Sequence, residues 1–250
     1  MEITLFQKCI FELVGTTVLL LLGCGICAAV NLNKSKAKGA GWIVITVGWG
    51  FAVMSGVFIA GPYSGAHLSP AVTLGFALAG LFPWAHVLPY VVAQMIGGIL
   101  GAVLAYAFYV DHFAATADEP DTILGCFCTM PAIRHNTVNF FSEMLATCVL
   151  VFLILALGTK GNLASAGNVP VGLGSLGAFP VACVIMTMGM ALGGTTGYAL
   201  NPARDLGPRI AHALLPIKGK RDSDWSYSWI PVFGPLVGAS LAACLYLLIY

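Results

Sequence analysis

The chain has 250 residues, of which 59% are hydrophobic and only 8% are charged. Globular proteins in water carry ~25% charged residues, so a membrane is the expected solvent for this chain. The formal net charge is +1, which excludes a strong field that would attract nucleic acid or other polyanions. No nucleic-acid partner is therefore expected.

Six apolar segments are long enough to cross a bilayer as helices. A crossing helix needs about 20 mostly apolar residues, because backbone polar groups in lipid must be satisfied within a helix or a closed barrel. The segment nearest the N-terminus has no preceding positive region and cleavage site, and it is predicted to be a retained span. The predicted spans are residues 9–30, 42–59, 87–109, 140–157, 177–192 and 229–250. In the third, Gly97 and Gly101 are expected to let a neighbouring helix approach closely.

An internal repeat organises these spans. Residues 12–19, ELVGTTVL, match residues 143–150, EMLATCVL, at an offset of 131. Residues 64–71, SGAHLSPA, match residues 196–203, TGYALNPA, at an offset of 132. Each repeat holds three spans, an odd number, so the second copy is expected to enter the membrane from the opposite side. The sequence thus predicts two inverted repeats, a pattern known from transport proteins.

Each repeat also contains a short apolar stretch that follows a proline. These stretches, residues 71–81 and 203–215, are too short to cross a bilayer and are predicted to be re-entrant half-helices. Proline at the first helical position, with Ser69 or Asn201 as the N-cap before it, is a strong helix start. Inversion would bring the two N-termini together in mid-membrane, where each carries roughly half a positive charge. This arrangement predicts a barrier to cations and protons.

The backbone before each half-helix, residues 64–68 and 195–200, can lie at membrane depth only if it is buried or lines an aqueous cavity. Its carbonyl groups are expected to form a polar track. The backbone positions assigned to the pore lining are Gly65, Ala66, His67, Leu68, Gly197, Ala199 and Leu200.

The two boxes, SGAHLSPAVT at residues 64–73 and TGYALNPARD at residues 196–205, resemble the paired Asn-Pro-Ala boxes of the major intrinsic proteins, or aquaporins. The resemblance covers the whole chain and implies an all-α membrane protein with six transmembrane helices and two re-entrant half-helices. It implies one domain, 1–250, whose inverted repeats, about 1–110 and 138–250, are joined by the loop 111–137. Asp205, Arg209 and the pair Pro231-Val232 resemble the glycerol-conducting branch of the family.

The resemblance also implies roles for particular residues. A selectivity filter near the outer mouth would consist of Trp49, Gly189, Tyr198 and Arg204. A central constriction would consist of Ser69, Pro70, Ala71, Asn201, Pro202 and Ala203. Support for the loops would come from Glu12, Glu143 and Asp205.

Two positions depart from the family pattern. Tyr198 stands where the glycerol facilitator has phenylalanine, and its hydroxyl is expected to make the filter slightly narrower and more polar. Ser69 stands where the family usually has asparagine. Serine is an equally good N-cap but offers one donor where an amide offers two, so water is expected to be oriented less firmly. Solute passage is predicted to persist.

The predicted function is passive passage of glycerol, water and other small uncharged solutes, with exclusion of ions. The alternatives are a secondary active transporter of a small polar solute, a channel favouring lactic acid or dihydroxyacetone, and a proton- or ion-conducting channel. Enzyme activity, cofactors and a bound metal are not expected, although the Cys126-x-Cys128 spacing leaves a metal site or redox pair as the alternative to an ordinary loop.

By resemblance, the protein is expected to be a homotetramer in the lipid of the plasma membrane, with both termini in the cytoplasm. The distribution of basic residues favours the reverse orientation. Only Lys8 and Lys160 would lie inside, whereas the residues that would lie outside are Lys34, Lys36, Lys38, Arg134, Lys218, Lys220 and Arg221.

Overall fold

The computed structural model describes residues 3–158, 165–166, 169–170 and 174–250. Lys160, which entered the prediction of orientation, lies outside these residues. Within the described ranges, five helices are long and apolar enough to cross a membrane, namely α1 (Leu5–Asn31), α2 (Trp42–Ser64), α4 (Trp84–Phe108), α7 (Asn136–Leu157) and α10 (Ile230–Ile249). A shorter apolar helix, α8 (Ala178–Leu192), coincides with the predicted fifth span and follows a 3-10 turn, Gly174–Gly177.

The two predicted half-helices are present as α3 (Pro70–Leu78) and α9 (Pro202–Leu214). Each begins at its proline, as the N-cap pattern predicts. Helix α3 ends three residues before the predicted position 81, because the chain turns at Gly80, whose φ is +74°. The N–H of Leu81 donates to the carbonyl of Phe76 at 2.9 Å and closes the turn.

The spanning helices form two groups, and each half-helix packs against a helix of the other repeat. Helix α1 packs against α2 and α4, while α7 packs against α10. The half-helix α9 packs against α4 of the first repeat, and α3 packs against α10 of the second. A β-carbon added at Gly97 would lie 2.6 Å from the carbonyl oxygen of Leu13, and one at Gly101 would lie 2.5 Å from that of Thr17. The expected close approach of α4 is therefore to α1.

The loop 111–137, for which the sequence predicted no structure, contains ordered elements. It carries α6 (Pro120–Gly125) and most of α5 (Val110–Ala114). Proline starts α6 for the same reason that it starts the half-helices. The Cys126 and Cys128 thiols are buried, which raises the pKa of both. A pair of two-residue antiparallel strands, β1 (Ser165–Ala166) and β2 (Val169–Pro170), was also not predicted.

Candidate functional site

A buried glutamate in α1 holds the re-entrant loop that precedes α3. One oxygen of Glu12 accepts hydrogen bonds from the Ser64 hydroxyl at 2.6 Å and the His67 N–H at 2.9 Å. Its other oxygen accepts from the Leu68 N–H at 2.7 Å and the Gln94 amide at 2.8 Å. Because two of the donors are backbone groups, the carboxylate fixes the path of the loop.

Glu143 in α7 makes the matching bonds in the second repeat. One oxygen accepts from the Thr196 hydroxyl at 2.6 Å and the Ala199 N–H at 3.0 Å. The other accepts from the Leu200 N–H at 3.0 Å. Thr196, Ala199 and Leu200 each follow their first-repeat counterparts by 132 residues, the offset read from the boxes.

The two loops share an unusual backbone conformation. Ala66, Leu68, Tyr198 and Leu200 all adopt positive φ values, of 49°, 53°, 40° and 56°. Left-handed conformations in non-glycine residues cost about 1–3 kcal/mol each and persist only where the surroundings enforce them. The glutamate bonds to both loops supply that enforcement.

The side chains of Ser69 and Asn201 cap the half-helices. The Ser69 hydroxyl oxygen accepts from the N–H groups of Ala71 at 3.2 Å and Val72 at 3.4 Å. The Asn201 carbonyl oxygen accepts from the N–H groups of Ala203 at 2.9 Å and Arg204 at 3.3 Å. Both N-termini are thereby fixed in the interior.

A cavity of about 140 Å³ runs past these caps. Six of the seven predicted backbone positions line it, as do Ser69 and Asn201, whereas Pro70, Ala71, Pro202 and Ala203 are buried behind the lining. Apolar side chains form most of the remaining wall, namely Leu19, Val53, Val57, Val72, Phe76, Leu150, Ile154, Val181 and Ile185.

A second cavity, of about 150 Å³, is lined in part by the loop 111–137, and the seventh backbone position, Gly197, lines it too. The two cavities share three lining residues, Trp49, Tyr198 and Arg204. These three predicted filter residues thus form the boundary between the cavities.

The guanidinium of Arg204 lies over the indole ring of Trp49, with its central carbon 4.2 Å from the ring centroid. The indole N–H donates to the Cys27 thiol sulfur at 3.4 Å. A β-carbon added at Gly23 would lie 2.3 Å from the indole, so this glycine makes room for the ring. Gly23 and Cys27 of α1 thus position the Trp49 indole, and no motif in the sequence singles out either residue.

Gly189 lines neither cavity in the described part of the chain but lies behind Tyr198. A β-carbon added there would lie 2.8 Å from the Tyr198 ring and 2.7 Å from the Thr46 methyl group. The Gly189 carbonyl accepts a hydrogen bond from the Trp42 indole at 2.9 Å, and Trp42 packs edge-on against Tyr198 at 5.7 Å. The space left by this glycine is therefore occupied by the tyrosine ring.

Asp205 connects the loop 111–137 to α9. One oxygen accepts from the Thr129 N–H at 2.7 Å and hydroxyl at 2.6 Å, and the other pairs with Arg209 at 2.8 Å. Arg209 also donates to the carbonyl groups of Thr129, Ser223 and Asp224. Arg209 rather than Arg204 is therefore the charge partner of Asp205.

Metal binding at Cys126 and Cys128 finds no support in the described residues, which contain no cluster of three or more candidate ligands.

Gln94 and Thr73 are additions to the predicted support for the loops. The Gln94 amide donates to both Glu12 and the Thr73 hydroxyl, and the latter bond measures 3.0 Å.

Comparison with known proteins gives related sequences and a related structure. The Glycerol uptake facilitator protein 3 of Lactiplantibacillus plantarum is 54% identical over 94% of this chain and 93% of its own length. The D/L-lactic acid transporter of the same organism is 40% identical over 95% of each chain. The X-ray structure of the aquaglyceroporin from Plasmodium falciparum aligns with a TM-score of 0.84 and 28% identity, over 97% of this chain and 96% of that one.

This structural likeness confirms the predicted fold class, an all-α membrane protein of the aquaporin type. The family description "Major intrinsic protein" matches residues 1–246. This chain therefore belongs to the major intrinsic protein family.

Proposed function

We propose that the protein is a passive channel for glycerol, water and other small uncharged solutes, and that Trp49, Gly189, Tyr198 and Arg204 form its selectivity filter. The observation that carries this proposal is the boundary between the two cavities, which consists of Trp49, Tyr198 and Arg204. Relatives named glycerol uptake facilitators, with about half of their residues identical, support the choice of solute.

The chemistry of the boundary suits a polyol. Among the described residues, none accepts a hydrogen bond from the Arg204 guanidinium, so its N–H groups are available to solute hydroxyls. The rings of Trp49 and Tyr198 offer apolar surface to the carbon chain. In this proposal Gly189 does not contact the solute; it leaves space for the Tyr198 ring and so determines the position of that ring.

Exclusion of cations has two sources in this proposal. Arg204 carries a full positive charge at the boundary, and the N-termini of α3 and α9 add partial positive charge at the centre. Of the described residues that line the central cavity, none is a carboxylate that could attract a cation. Ser69 and Asn201 would contact the solute, while the other four residues of the constriction would hold the half-helices in place.

The same arrangement favours a passive channel over an ion-coupled transporter. A coupling-ion site would need a carboxylate with free oxygens, yet both oxygens of Glu12 and of Glu143 already accept hydrogen bonds from the loops. We assign loop support to Glu12, Glu143 and Asp205.

The test is stopped-flow light scattering on proteoliposomes that contain the purified protein. Glycerol flux should be fast and linear in its gradient, and Arg204→Val and Tyr198→Ala should alter it. Arg221→Ala is the matched control, because it removes a positive charge at a loop residue that pairs with Asp121 and lines neither cavity. Saturable flux that follows an ion gradient would contradict the proposal.

A second candidate solute is a small acid in its neutral form, since one relative is named a D/L-lactic acid transporter. The filter would treat a hydroxyl-bearing neutral acid much as it treats a polyol. Uptake of lactic acid should then rise as the pH is lowered through the pKa of the acid. Flux that depends on total lactate rather than on its neutral form would exclude this route.

We also infer a homotetramer in the plasma membrane, with both termini in the cytoplasm, as the family resemblance implies. Cross-linking in native membranes tests the assembly. Labelling of a single cysteine placed in the loop 32–41, compared with one placed near the N-terminus, tests the orientation.

A further inference from the structure

We propose that the central constriction contains a binding subsite for a solute hydroxyl, formed by the carbonyl oxygen of Leu200 and the hydroxyl of Ser69. This subsite rests on the proposed function, because it assumes that small neutral solutes pass the constriction. Its chemical class is a solute that donates as well as accepts hydrogen bonds, of which a polyol is the simplest example.

The subsite arises from an asymmetry between the two caps. Asn201 uses its carbonyl oxygen to cap α9 and its amide nitrogen to donate to the carbonyl of Leu68, at 2.8 Å. Ser69 has a single polar atom, whose oxygen already accepts from two N–H groups of α3. Among the described residues, no donor reaches the Leu200 carbonyl, which is the counterpart of Leu68 at the offset of 132. One carbonyl of the pair is therefore satisfied and the other is not.

The unsatisfied carbonyl belongs to a residue of the cavity wall. Leu68, Ser69, Leu200 and Asn201 all line the central cavity. Leu200 is 4% exposed, so bulk water does not cover it. Buried carbonyl groups in native proteins are nearly always paired, and this one needs a donor from the pore contents.

The Leu200 carbonyl cannot easily turn away to find another partner. A turn of this carbonyl would rotate the peptide group that joins Leu200 to Asn201. On the far side of that group, the Asn201 side chain is held because it caps α9 and donates to the Leu68 carbonyl. On the near side, the N–H of Leu200 donates to Glu143 at 3.0 Å. The acceptor is therefore preorganised.

A polyol gains more from this acceptor than water does. In a narrow file, a water molecule can donate to the next water molecule, whereas the middle hydroxyl of a polyol can reach only the wall. The second N–H of the Asn201 amide and the O–H of Ser69 belong to residues that line the same cavity as Leu200, so in this proposal one solute hydroxyl can both donate and accept. An asparagine at position 69 could donate to Leu200 as Asn201 does to Leu68, and would fill the subsite.

The test compares glycerol and water permeability of proteoliposomes for the wild type, Ser69→Asn and Ser69→Thr. Asparagine caps helices as well as serine does, so α3 should form in the first variant. We expect Ser69→Asn to lower the glycerol-to-water permeability ratio about fivefold, the effect of losing roughly one hydrogen bond. Threonine adds bulk but retains a hydroxyl cap and leaves Leu200 unpaired, so that variant should keep the ratio within about twofold.

Water permeability reports whether each variant is folded. If Ser69→Asn conducts no water, Ser69→Gly takes its place as the deciding variant. Glycine is an adequate N-cap, so α3 should form, but it removes the hydroxyl half of the subsite. The proposal therefore requires the glycerol-to-water permeability ratio to fall below that of the wild type. A ratio at or above the wild-type value would overturn it.

An equal loss of glycerol permeability in the asparagine and threonine variants would assign the effect to bulk and overturn the subsite, as would an unchanged ratio in Ser69→Asn. Both results leave the channel function standing. A wild-type protein with no glycerol flux above that of empty vesicles would overturn the channel proposal and the subsite together.

Discussion

Replacing Glu143 with glutamine is expected to loosen the re-entrant loop that precedes α9 while leaving the helices intact. The carboxylate accepts hydrogen bonds at both oxygens, from Thr196, Ala199 and Leu200. A glutamine side chain of the same shape has one acceptor oxygen, and an NH₂ group in place of the other. The N–H of Leu200 would then face another donor.

The size of the effect follows from these bonds. A buried N–H left without a partner costs about 1–3 kcal/mol. The two bonds that Glu143→Gln retains become neutral instead of charge-assisted, which weakens each by about 1 kcal/mol. The total is about 4 kcal/mol, which corresponds to a fall in Tm of about 10 °C for a chain of this length. Because Tyr198 and Leu200 would no longer be held in left-handed conformations, glycerol flux should fall about tenfold as well.

The assay is thermal denaturation of the purified protein in detergent, together with glycerol flux in proteoliposomes. Glu119→Gln is the matched control. Glu119 lies in the loop 111–137 with a 43% exposed side chain, and it accepts hydrogen bonds from Asn33 and Thr122. These bonds hold the pKa of Glu119 below its ordinary value.

A depressed carboxylate pKa contributes stability at neutral pH that is lost as the pH falls through the folded-state pKa. For the exposed Glu119, this contribution is small, and Glu119→Gln should change Tm by less than about 2 °C at neutral pH. The reasoning about Glu143 is refuted if Glu143→Gln and Glu119→Gln give the same Tm and the same flux.

Three further predictions concern the proposed selectivity filter. Gly189→Ala places a β-carbon 2.8 Å from the Tyr198 ring and should reduce glycerol flux more than water flux. The control is Gly194→Ala, which should leave both fluxes unchanged because no atom lies within 4 Å of the added β-carbon. Equal effects of the two substitutions would contradict the packing argument. Tyr198→Phe removes a buried hydroxyl that has no partner among the described residues. It should raise the free energy of unfolding by about 1 kcal/mol, measured by thermal denaturation, and should increase glycerol flux. A lower Tm would show that the hydroxyl is hydrogen-bonded. Cys27→Ala removes the acceptor of the Trp49 indole N–H and should change the glycerol-to-water ratio with little change in Tm, while an unaltered ratio would mean that Trp49 needs no anchor.

Local signals account for the parts of the site that could be predicted. The boxes gave the N-caps Ser69 and Asn201 and the starts of α3 and α9, because capping depends on residues adjacent in the chain. The family resemblance indicated the residues of the proposed filter. It did not give the position of Gly189 behind the Tyr198 ring, which depends on the packing of α8 against α2.

The sequence by itself determined the membrane class, the positions of the spans, the offset between the boxes and the two half-helices. Apolar run length, proline and N-cap residues are sufficient for these features, because they act over a few neighbouring residues. Only the tertiary structure decided that Arg204 lies on Trp49 while Asp205 pairs with Arg209. It also decided that the Leu68 carbonyl accepts from Asn201, whereas the Leu200 carbonyl has no donor among the described residues. The Asp205–Arg209 pair lies within one helix, but Trp49 and Arg204, and likewise Leu68 and Asn201, are more than 100 positions apart. In the described part of the chain, the Leu200 carbonyl is unpaired because no donor reaches it from the equally distant Ser69. The geometry of these contacts is set by how the helices pack, which no local pattern records.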